Sequence, residues 1–141
     1  MSSALFWDTN EAVDPENADY LALQALLAEQ TPLERAVAYR TRGNEALRRG
    51  NVVNWRNAVA FYTQALEQGC EDVAANVASL ANRALAQLKL SNWGKAKADA
   101  EAALALQPSH EKAAYRASLA CSALGRYAEC IAHCVRLPLL P

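Results

Sequence analysis

The sequence of 141 residues has few residues that interrupt helices, with only five glycines and five prolines. β-Branched residues are scarce apart from a few valines, whereas alanine is abundant. This composition favours helices and argues against a β-sandwich or a barrel. No apolar run approaches the roughly 18 residues that a membrane span requires. Residues 1–11 also lack the basic and apolar segments of a secretory signal, so we expect none.

Residues that commonly carry catalysis are also scarce, since the chain has only two histidines. It has no glycine-rich phosphate loop and no serine, histidine and aspartate set within a supporting motif. We therefore expect a protein that is not an enzyme and that needs no cofactor. Four cysteines without a secretory signal are typical of reduced thiols, which indicates a cytoplasmic location, with the nucleus as an additional one.

Basic residues are absent from the first quarter of the chain. Residues 1–34 contain seven acidic residues and no Lys or Arg, whereas residues 35–141 contain all 14 basic residues and eight acidic ones. The N-terminal arm is therefore acidic and the body basic, although the whole chain has a formal charge of −1. A basic body suggests an anionic partner.

Helix start signals are clear in several places. Asp14-Pro15 offers an N-cap before a leucine-rich helix around 16–29, which we expect to pack through Leu23, Leu26 and Leu27. The run Thr31–Glu34 is a capping box with proline at the first helical position, so a helix should follow to about Arg49. Further helices are predicted at about 54–68, 73–90, 93–106, 110–124 and 127–136.

An aromatic residue followed three positions later by a small residue recurs along the chain, at spacings of 38 and 34 residues. The three pairs are Trp55 with Ala58, Trp93 with Ala96, and Tyr127 with Cys130. Small residues at fixed places let two helices approach closely, and we expect the aromatic residue to fill the turn between them. Each helix pair then stacks on the next and buries what one pair cannot bury alone.

This period and pattern resemble the tetratricopeptide repeat (TPR) family. The resemblance covers about residues 36–136 and implies an all-α fold of three helix-turn-helix repeats in a short right-handed superhelix. The predicted domains are an acidic segment with a short helix at 1–31, a TPR domain at 32–136 and a tail at 137–141. The three repeats fall at about 36–69, 73–107 and 110–136. Extra residues in repeat one and after it lie in connections, where length is tolerated.

A narrower resemblance rests on Asp14-Pro15-Glu16-Asn17, the leucine-rich helix, Cys70-Glu71-Asp72 and Asn82-Arg83. Together these look like the family of tetratricopeptide repeat protein four and the yeast Cns co-chaperone. That family has an acidic N-terminal segment, three TPRs and a further C-terminal domain. Since the sequence stops at residue 141, we expect a fragment or a shortened relative that lacks this domain and the capping helix after repeat three.

Three cations and two amides form the strongest candidate site. Two pairs at a spacing of four residues, Arg40 with Asn44 and Lys112 with Arg116, each share one face of a leading helix. Asn82 lies in the leading helix between them. Leading helices line the concave side of such a solenoid, so the five groups should converge. Cations supply charge and amides supply directed hydrogen bonds, a combination that suits carboxylates.

The five positions match the dicarboxylate clamp of chaperone-binding TPR domains, except that Arg40 stands where lysine is usual. The resemblance implies a co-chaperone adaptor for a tail ending in Glu-Glu-Val-Asp, the C-terminus of heat-shock protein 90 and of the 70-type chaperone. The sequence does not rank these two partners, and it names no client. The alternative is a TPR scaffold for an unrelated protein partner. We expect no nucleic-acid partner, because aromatic residues do not interleave with the basic ones. We expect no membrane partner either, because no apolar run is long enough to span a bilayer.

Other polar residues are weaker candidates. Cys130, His133 and Cys134, with Cys121 one helix earlier, form a possible zinc set. Cys130 occupies a small position of the repeat, so we expect these residues to pack in the core instead. His110 is expected at the surface near the Pro108 turn. The sequence leaves open which way Arg83 faces, and whether the acidic arm visits the basic groove or is merely solvated.

Overall fold

Seven α-helices and no strand form residues 18–28 and 30–135, the part of the chain that the computed structural model describes. The helices are α1 (Ala18–Leu27), α2 (Pro32–Arg49), α3 (Val52–Glu67), α4 (Val73–Lys89), α5 (Trp93–Leu106), α6 (Glu111–Ala123) and α7 (Tyr127–Cys134). The predicted all-α fold is confirmed. The hypotheses about the acidic arm at 1–17 and the tail at 137–141 lie outside the described residues.

Side-chain caps set the beginnings of four helices. The predicted capping box is present at α2, where Thr31 Oγ1 accepts from the Glu34 backbone N–H at 3.2 Å and Glu34 Oε2 accepts from the Thr31 N–H at 3.0 Å. Asn51 caps α3, so that helix begins at Val52, two residues earlier than predicted. Asp72 caps α4.

The fourth cap is His110, whose Nδ1 accepts from the Ala113 N–H at 3.1 Å at the start of α6. It is half-buried and has a structural role at the helix start that the sequence analysis did not predict.

Among the described residues, no helix has the length and apolar character that crossing a bilayer would require.

Small residues let neighbouring helices approach, as the repeat pattern predicts. Ala58 and Ala96, which follow the two tryptophans of the pattern, have no exposed surface. From α2 to α7, each helix packs against the next, and α4 also contacts both α2 and α6. Burial of apolar surface in these contacts is the main stabilising term of the fold. The helices α2, α4 and α6 therefore lie side by side and form one face.

The first helix packs through fewer leucines than predicted. Leu23 is buried in the cluster formed with α2 and α3, but Leu26 is 64% exposed, so the expected packing of Leu26 is wrong. The side chain of Leu27 lies outside the described residues. A leucine-rich helix of ten residues can turn several sides towards its neighbour, and the contact with the body decides which one is buried.

The last helix, α7, leaves most of its apolar residues exposed. Tyr127, expected to fill a turn, is 67% exposed because no described helix lies beyond α7 to cover it. Cys121 is buried as predicted, whereas Cys130 is only half-buried and Cys134 is exposed. The expected core packing of Cys134 is therefore wrong, for the same reason.

Candidate functional site

The three adjacent helices α2, α4 and α6 carry all five predicted site residues. Arg40 and Asn44 lie on α2, Asn82 lies on α4, and Lys112 and Arg116 lie on α6. Asn44 and Lys112 are exposed, while the other three are half-buried. The contact of α4 with both flanking helices makes Asn82 the middle position, as the repeat order predicts.

Hydrogen bonds connect the two asparagines. Asn82 Nδ2 donates to Asn44 Oδ1 at 3.1 Å, across the contact between α2 and α4. The same oxygen accepts a second hydrogen bond, at 2.6 Å, from the hydroxyl of Tyr62 on α3. The two amides are thus neighbours, and their separation in sequence of 38 residues is closed by helix stacking.

Arg116 links α6 to α4 in the same region. Its Nη1 donates to the backbone oxygen of Ala81 at 2.8 Å, directly beside Asn82 in the sequence. Burial lowers the pKa of Arg116 below its ordinary value, and the nearby Tyr62 works in the opposite direction. An arginine still carries its full charge at neutral pH. A half-buried cation therefore stands next to the amide pair.

Tyr62 lies at the centre of this arrangement. Burial raises the pKa of its hydroxyl from 10.0 to about 12, while the positive charges of Arg116 and Arg40 work in the opposite direction. The structure brings Asn44 and Asn82 together at the hydroxyl of Tyr62, and the charges of Arg40 and Arg116 act on the same hydroxyl.

Lys112 lies further out, one helical turn before Arg116. Its side chain is exposed, and it makes no ion pair among the described residues. Burial lowers the pKa of His110, and the charges of Arg116 and Lys112 lower it further. Lys112 thus adds positive charge at the N-terminal end of α6.

An open depression of about 490 Å³ lies beside the amide pair. Asn44 and Asn82 form part of its wall, and the remaining lining comes from Thr41, Glu45, Leu47 and Arg48 of α2. A flexible chain that reaches the asparagines therefore has space to continue along α2. Glu45 and Arg48 place charges of opposite sign along this path.

Arg83, whose direction the sequence left open, does not take part. Its Nε and Nη2 donate to the two carboxylate oxygens of Asp99 at 2.9 and 2.6 Å, and its Nη1 donates to Thr63 Oγ1 at 3.1 Å. All of its charge is thus directed at α3 and α5 rather than at the asparagines. The basic residue next to Asn82 is structural.

The cysteine and histidine set of α7 does not gather into a metal site. His133 is buried, and its Nε2 lies 3.0 Å from Glu101 Oε2 on α5. Within residues 18–28 and 30–135, no three histidine, cysteine or acidic side chains are arranged to hold a metal ion. The structure thus offers the zinc alternative no support, and it uses His133 to connect α5 and α7.

Sequence reasoning missed Tyr62. It lies on α3, outside the leading helices, in a position that pattern analysis treats as apolar core. A signal was available, because a buried tyrosine normally needs a hydrogen-bond partner for its hydroxyl. The sequence alone does not tell which of the polar residues on neighbouring helices supplies that partner.

Sequence comparison finds relatives in several organisms, although no family model matches the chain. The chain is 35% identical over 125 residues to tetratricopeptide repeat protein 4 of Homo sapiens, covering 86% of the chain and 32% of that protein. It is 36% identical over 121 residues to the Hsp70/Hsp90 co-chaperone cns1 of Schizosaccharomyces pombe, covering 86% and 33%. The chain thus spans about a third of the length of these relatives.

Comparison with solved structures finds similar folds in proteins of the same kind. The Hsp90 co-chaperone Cns1 from Saccharomyces cerevisiae matches with a TM-score of 0.71 at 30% identity, over 77% of this chain and 34% of that one. The Arabidopsis OM64 TPR domain matches with a TM-score of 0.64 at 30% identity, over 72% and 78%. The second TPR of Spaghetti (RPAP3), bound to the HSP90 peptide SRMEEVD, has a TM-score of 0.66 over 84% and 91%; at 24% identity it supports the fold alone.

Proposed function

The chain belongs to the tetratricopeptide repeat family, in the group of tetratricopeptide repeat protein 4 and Cns1, and on that premise we propose that it is a co-chaperone adaptor. The face formed by α2, α4 and α6, here called the groove, binds the Glu-Glu-Val-Asp tail of heat-shock protein 90, of the 70-type chaperone, or of both. It does so through a dicarboxylate clamp. The mechanism is binding and tethering, and no chemical step takes place. We place this activity in the cytoplasm, with the nucleus as an additional location.

The observation that carries the proposal is the hydrogen-bonded pair of asparagines at Tyr62, with Arg116 bonded to Ala81 directly beside Asn82 and the charge of Arg40 acting on the same hydroxyl. A C-terminal aspartate offers two carboxylates, one from its side chain and one from its main chain. Carboxylates form their strongest hydrogen bonds with charged donors, and amides add directed neutral donors. The arrangement therefore suits a ligand with two adjacent negative groups.

Each residue has a distinct role in the proposed clamp. Arg40, Lys112 and Arg116 hold the carboxylates by charge, and Asn44 and Asn82 orient them through side-chain amides. Arg40 presents a planar fork where a lysine would present a point charge, so it favours two parallel hydrogen bonds to one carboxylate. We expect arginine in place of lysine at this position to change the fit of the pocket while keeping its charge.

The names of the relatives agree with this choice of ligand. The proteins from the two yeasts are described as Hsp70/Hsp90 co-chaperones, and neither name indicates an enzyme. A single short tail normally binds with modest affinity, because ordering a flexible peptide offsets much of the contact energy. Contacts from other parts of a longer protein would add avidity.

The experiment that tests the function is a calorimetric titration with a peptide that ends in a free Glu-Glu-Val-Asp, and with its C-terminally amidated twin. We expect the free acid to bind more tightly by about 1.5–3 kcal/mol, the scale of a hydrogen bond to a charged group. Equal affinities would overturn the clamp. They would favour the alternative function, a scaffold that binds an internal segment of an unrelated protein.

A variant pair sharpens the test. Lys112→Ala should weaken binding of the free acid by about 1.5–3 kcal/mol. Its thermal stability should stay unchanged, because the side chain is exposed. Lys95→Ala is the matched control, since it removes the same charge from an exposed position on α5, outside the three groove helices. If Lys112→Ala binds like the parent, as the control should, the proposed ligand is wrong.

A further inference from the structure

Tyr62 lies outside the three groove helices, but its hydroxyl contacts Asn44 of the groove. It belongs to α3, its side chain has no exposed surface, and its ring packs against the α2 backbone at Gly43. A Cβ atom added at Gly43 would lie only 2.6 Å from Tyr62 Cε1, so the absence of a side chain there creates the space for the ring. The ring is thus fixed, and its hydroxyl extends to the adjacent residue, Asn44.

The hydrogen bonds at Asn44 occupy one side of its amide completely. Its Oδ1 accepts from the Tyr62 hydroxyl at 2.6 Å and from Asn82 Nδ2 at 3.1 Å. A carbonyl oxygen has two lone pairs, and both are used. The only polar atom of this side chain left for a ligand is Nδ2, which carries two N–H groups. In this orientation, Asn44 offers donors alone.

We propose that Tyr62 is a positioning residue that sets the specificity of the groove: its hydroxyl holds the Asn44 amide with the N–H groups free, so the groove selects a terminal carboxylate over a terminal carboxamide. The proposal rests on the function proposed above and explains one part of its selectivity. Tyr62 itself does not touch the ligand.

The physical reason lies in what each ligand can accept. An ionised carboxylate accepts hydrogen bonds through both oxygens and donates none, whereas a carboxamide presents an NH₂ group on one side. Donors on Asn44, Arg40 and Arg116 therefore match a carboxylate completely and oppose half of a carboxamide. Without the Tyr62 hydroxyl, only the hydrogen bond from Asn82 Nδ2 holds the Asn44 oxygen, so the amide rotates more easily by half a turn and then offers its oxygen to the carboxamide.

Burial also keeps Tyr62 a donor under ordinary conditions. With a pKa of about 12, the phenol retains its proton throughout the neutral range. The nearby arginines act in the opposite direction but do not bring ionisation near neutrality. The direction of the hydrogen bond to Asn44 is therefore the same at every pH at which the protein would function.

The test is the ratio of two affinities in two variants. Tyr62→Phe removes the hydroxyl and keeps the ring, and Tyr127→Phe makes the same change at an exposed position of α7. Each is titrated with the Glu-Glu-Val-Asp peptide and its amidated twin. We expect Tyr62→Phe to lose about three- to tenfold in affinity for the free acid and to keep its affinity for the amide, so that the ratio falls about three- to tenfold. Tyr127→Phe should match the parent.

The outcomes distinguish a failure of the positioning role of Tyr62 from a failure of the proposed clamp. If the parent prefers the free acid and Tyr62→Phe has the same ratio with both affinities reduced, Tyr62 is only structural and the inference is overturned while the clamp stands. If the parent has no preference, both fail. Asp99→Asn, which breaks an ion pair outside the groove, controls for general destabilisation, and a ratio that falls equally there would also overturn the inference.

A measurement on the parent alone covers the case in which Tyr62→Phe does not fold. A buried hydroxyl that donates a hydrogen bond exchanges its proton slowly with water. We therefore expect a resolved Tyr62 hydroxyl proton in the NMR spectrum, with a nuclear Overhauser contact to the side chain of Asn82, the other donor to the same oxygen. A hydroxyl proton whose contacts place it away from Asn44 and Asn82 would overturn the inference.

Discussion

Arg83 of α4 and Asp99 of α5 form a two-pronged ion pair, in which each carboxylate oxygen accepts from a different guanidinium nitrogen. Their side chains are only 22% and 11% exposed. The third guanidinium nitrogen donates to Thr63 on α3. One side chain therefore holds together three consecutive helices, directly beside Asn82 but on a different side of α4. The positive charge of Arg83, although next to Asn82 in the sequence, thus serves stability and not ligand binding.

Asp99→Asn should lower the free energy of unfolding by about 2 kcal/mol. Removing one partner of a largely buried pair leaves the other charge uncompensated, which costs about 3–5 kcal/mol at fully buried sites and less where water has access. Urea denaturation measures the loss. Arg126→Gln is the control, since its exposed ion pair with Glu129 should contribute less than about 1 kcal/mol. Equal losses in both variants would contradict this role of the pair.

Gly43→Ala should destabilise the protein, although alanine favours helices over glycine by about 1 kcal/mol. The new Cβ would lie 2.6 Å from Tyr62 Cε1, and the ring has no room to move because it is buried. Overpacking of this kind costs about 1–3 kcal/mol. Because the ring carries the hydroxyl that holds Asn44, binding of the tail peptide should also weaken.

The control for this substitution is Gly94→Ala. Gly94 also lies in a helix, but a Cβ there meets nothing within 4 Å. It should therefore raise stability by up to about 1 kcal/mol. Thermal melts of both variants decide the matter, and a Gly43→Ala protein at least as stable as the parent would show that the ring adapts.

Local signals in the sequence predicted most helix ends. The run Thr31–Glu34 marks the start of α2 by its chemistry alone, and Gly50 marks its end. α3 was predicted to begin at 54 because the cap at Asn51, which has a positive φ of 64°, was not recognised. These features depend on neighbouring residues only, so they can be read without the fold.

Contacts between distant residues could not be predicted in the same way. The spacing of Arg40, Asn44 and Asn82 places them on one face, but the hydrogen bond from Tyr62 joins residues 18 apart on two helices. The rotation of each helix about its axis decides such contacts. That same rotation leaves Leu26 exposed while Leu23 is buried, and no local pattern distinguishes the two leucines.

Tyr62 should titrate only at high pH. Burial raises its pKa from the ordinary 10.0 to about 12, so a tyrosinate absorbance step should appear near that pH. The unfolded chain ionises near the ordinary value of 10.0, so between these values the unfolded state binds fewer protons and stability falls as pH rises. Tyr62→Phe should lose the late absorbance step and part of this alkaline fall. A titration of the parent without a step near 12 would contradict the burial of this hydroxyl.

Acid should weaken the attachment of α7 through Glu101. Burial raises the pKa of Glu101, but hydrogen bonds from Lys97 and His133 outweigh it and hold the pKa below its ordinary value of 4.5. A lowered pKa means that stability is fully present above the ordinary value and is lost as pH falls through the folded value. Glu101→Gln should therefore show a smaller loss of stability between about pH 5 and pH 3 than the parent. Parallel curves for the two proteins would show that the carboxylate does not couple to folding.

Of the helices α2 to α7, we expect α7 to have the fastest amide hydrogen exchange. This helix has only eight residues, and its apolar Tyr127 and Ile131 are mostly exposed, so few buried contacts oppose its opening. Its polar attachments to α5 are Lys97 with Glu129 at 3.3 Å and Glu101 with His133. Local opening breaks these and the packing of α7 on α6, whereas opening of α4 requires loss of the packing with both flanking helices.

Lys97→Met tests whether those attachments matter. Lys97 Nζ pairs with both Glu101 and Glu129, and its side chain is only 15% exposed. Methionine keeps the apolar stem and removes the charge, so exchange in α7 should become faster while that of α2 and α4 stays the same. Lys95→Met, at an exposed position two residues earlier, should leave all helices unchanged. Uniform protection of α2 to α7 in a dilute parent sample would contradict the idea that α7 opens on its own. Faster exchange in every helix of Lys97→Met would show that the ion pairs stabilise the whole fold instead of α7 alone.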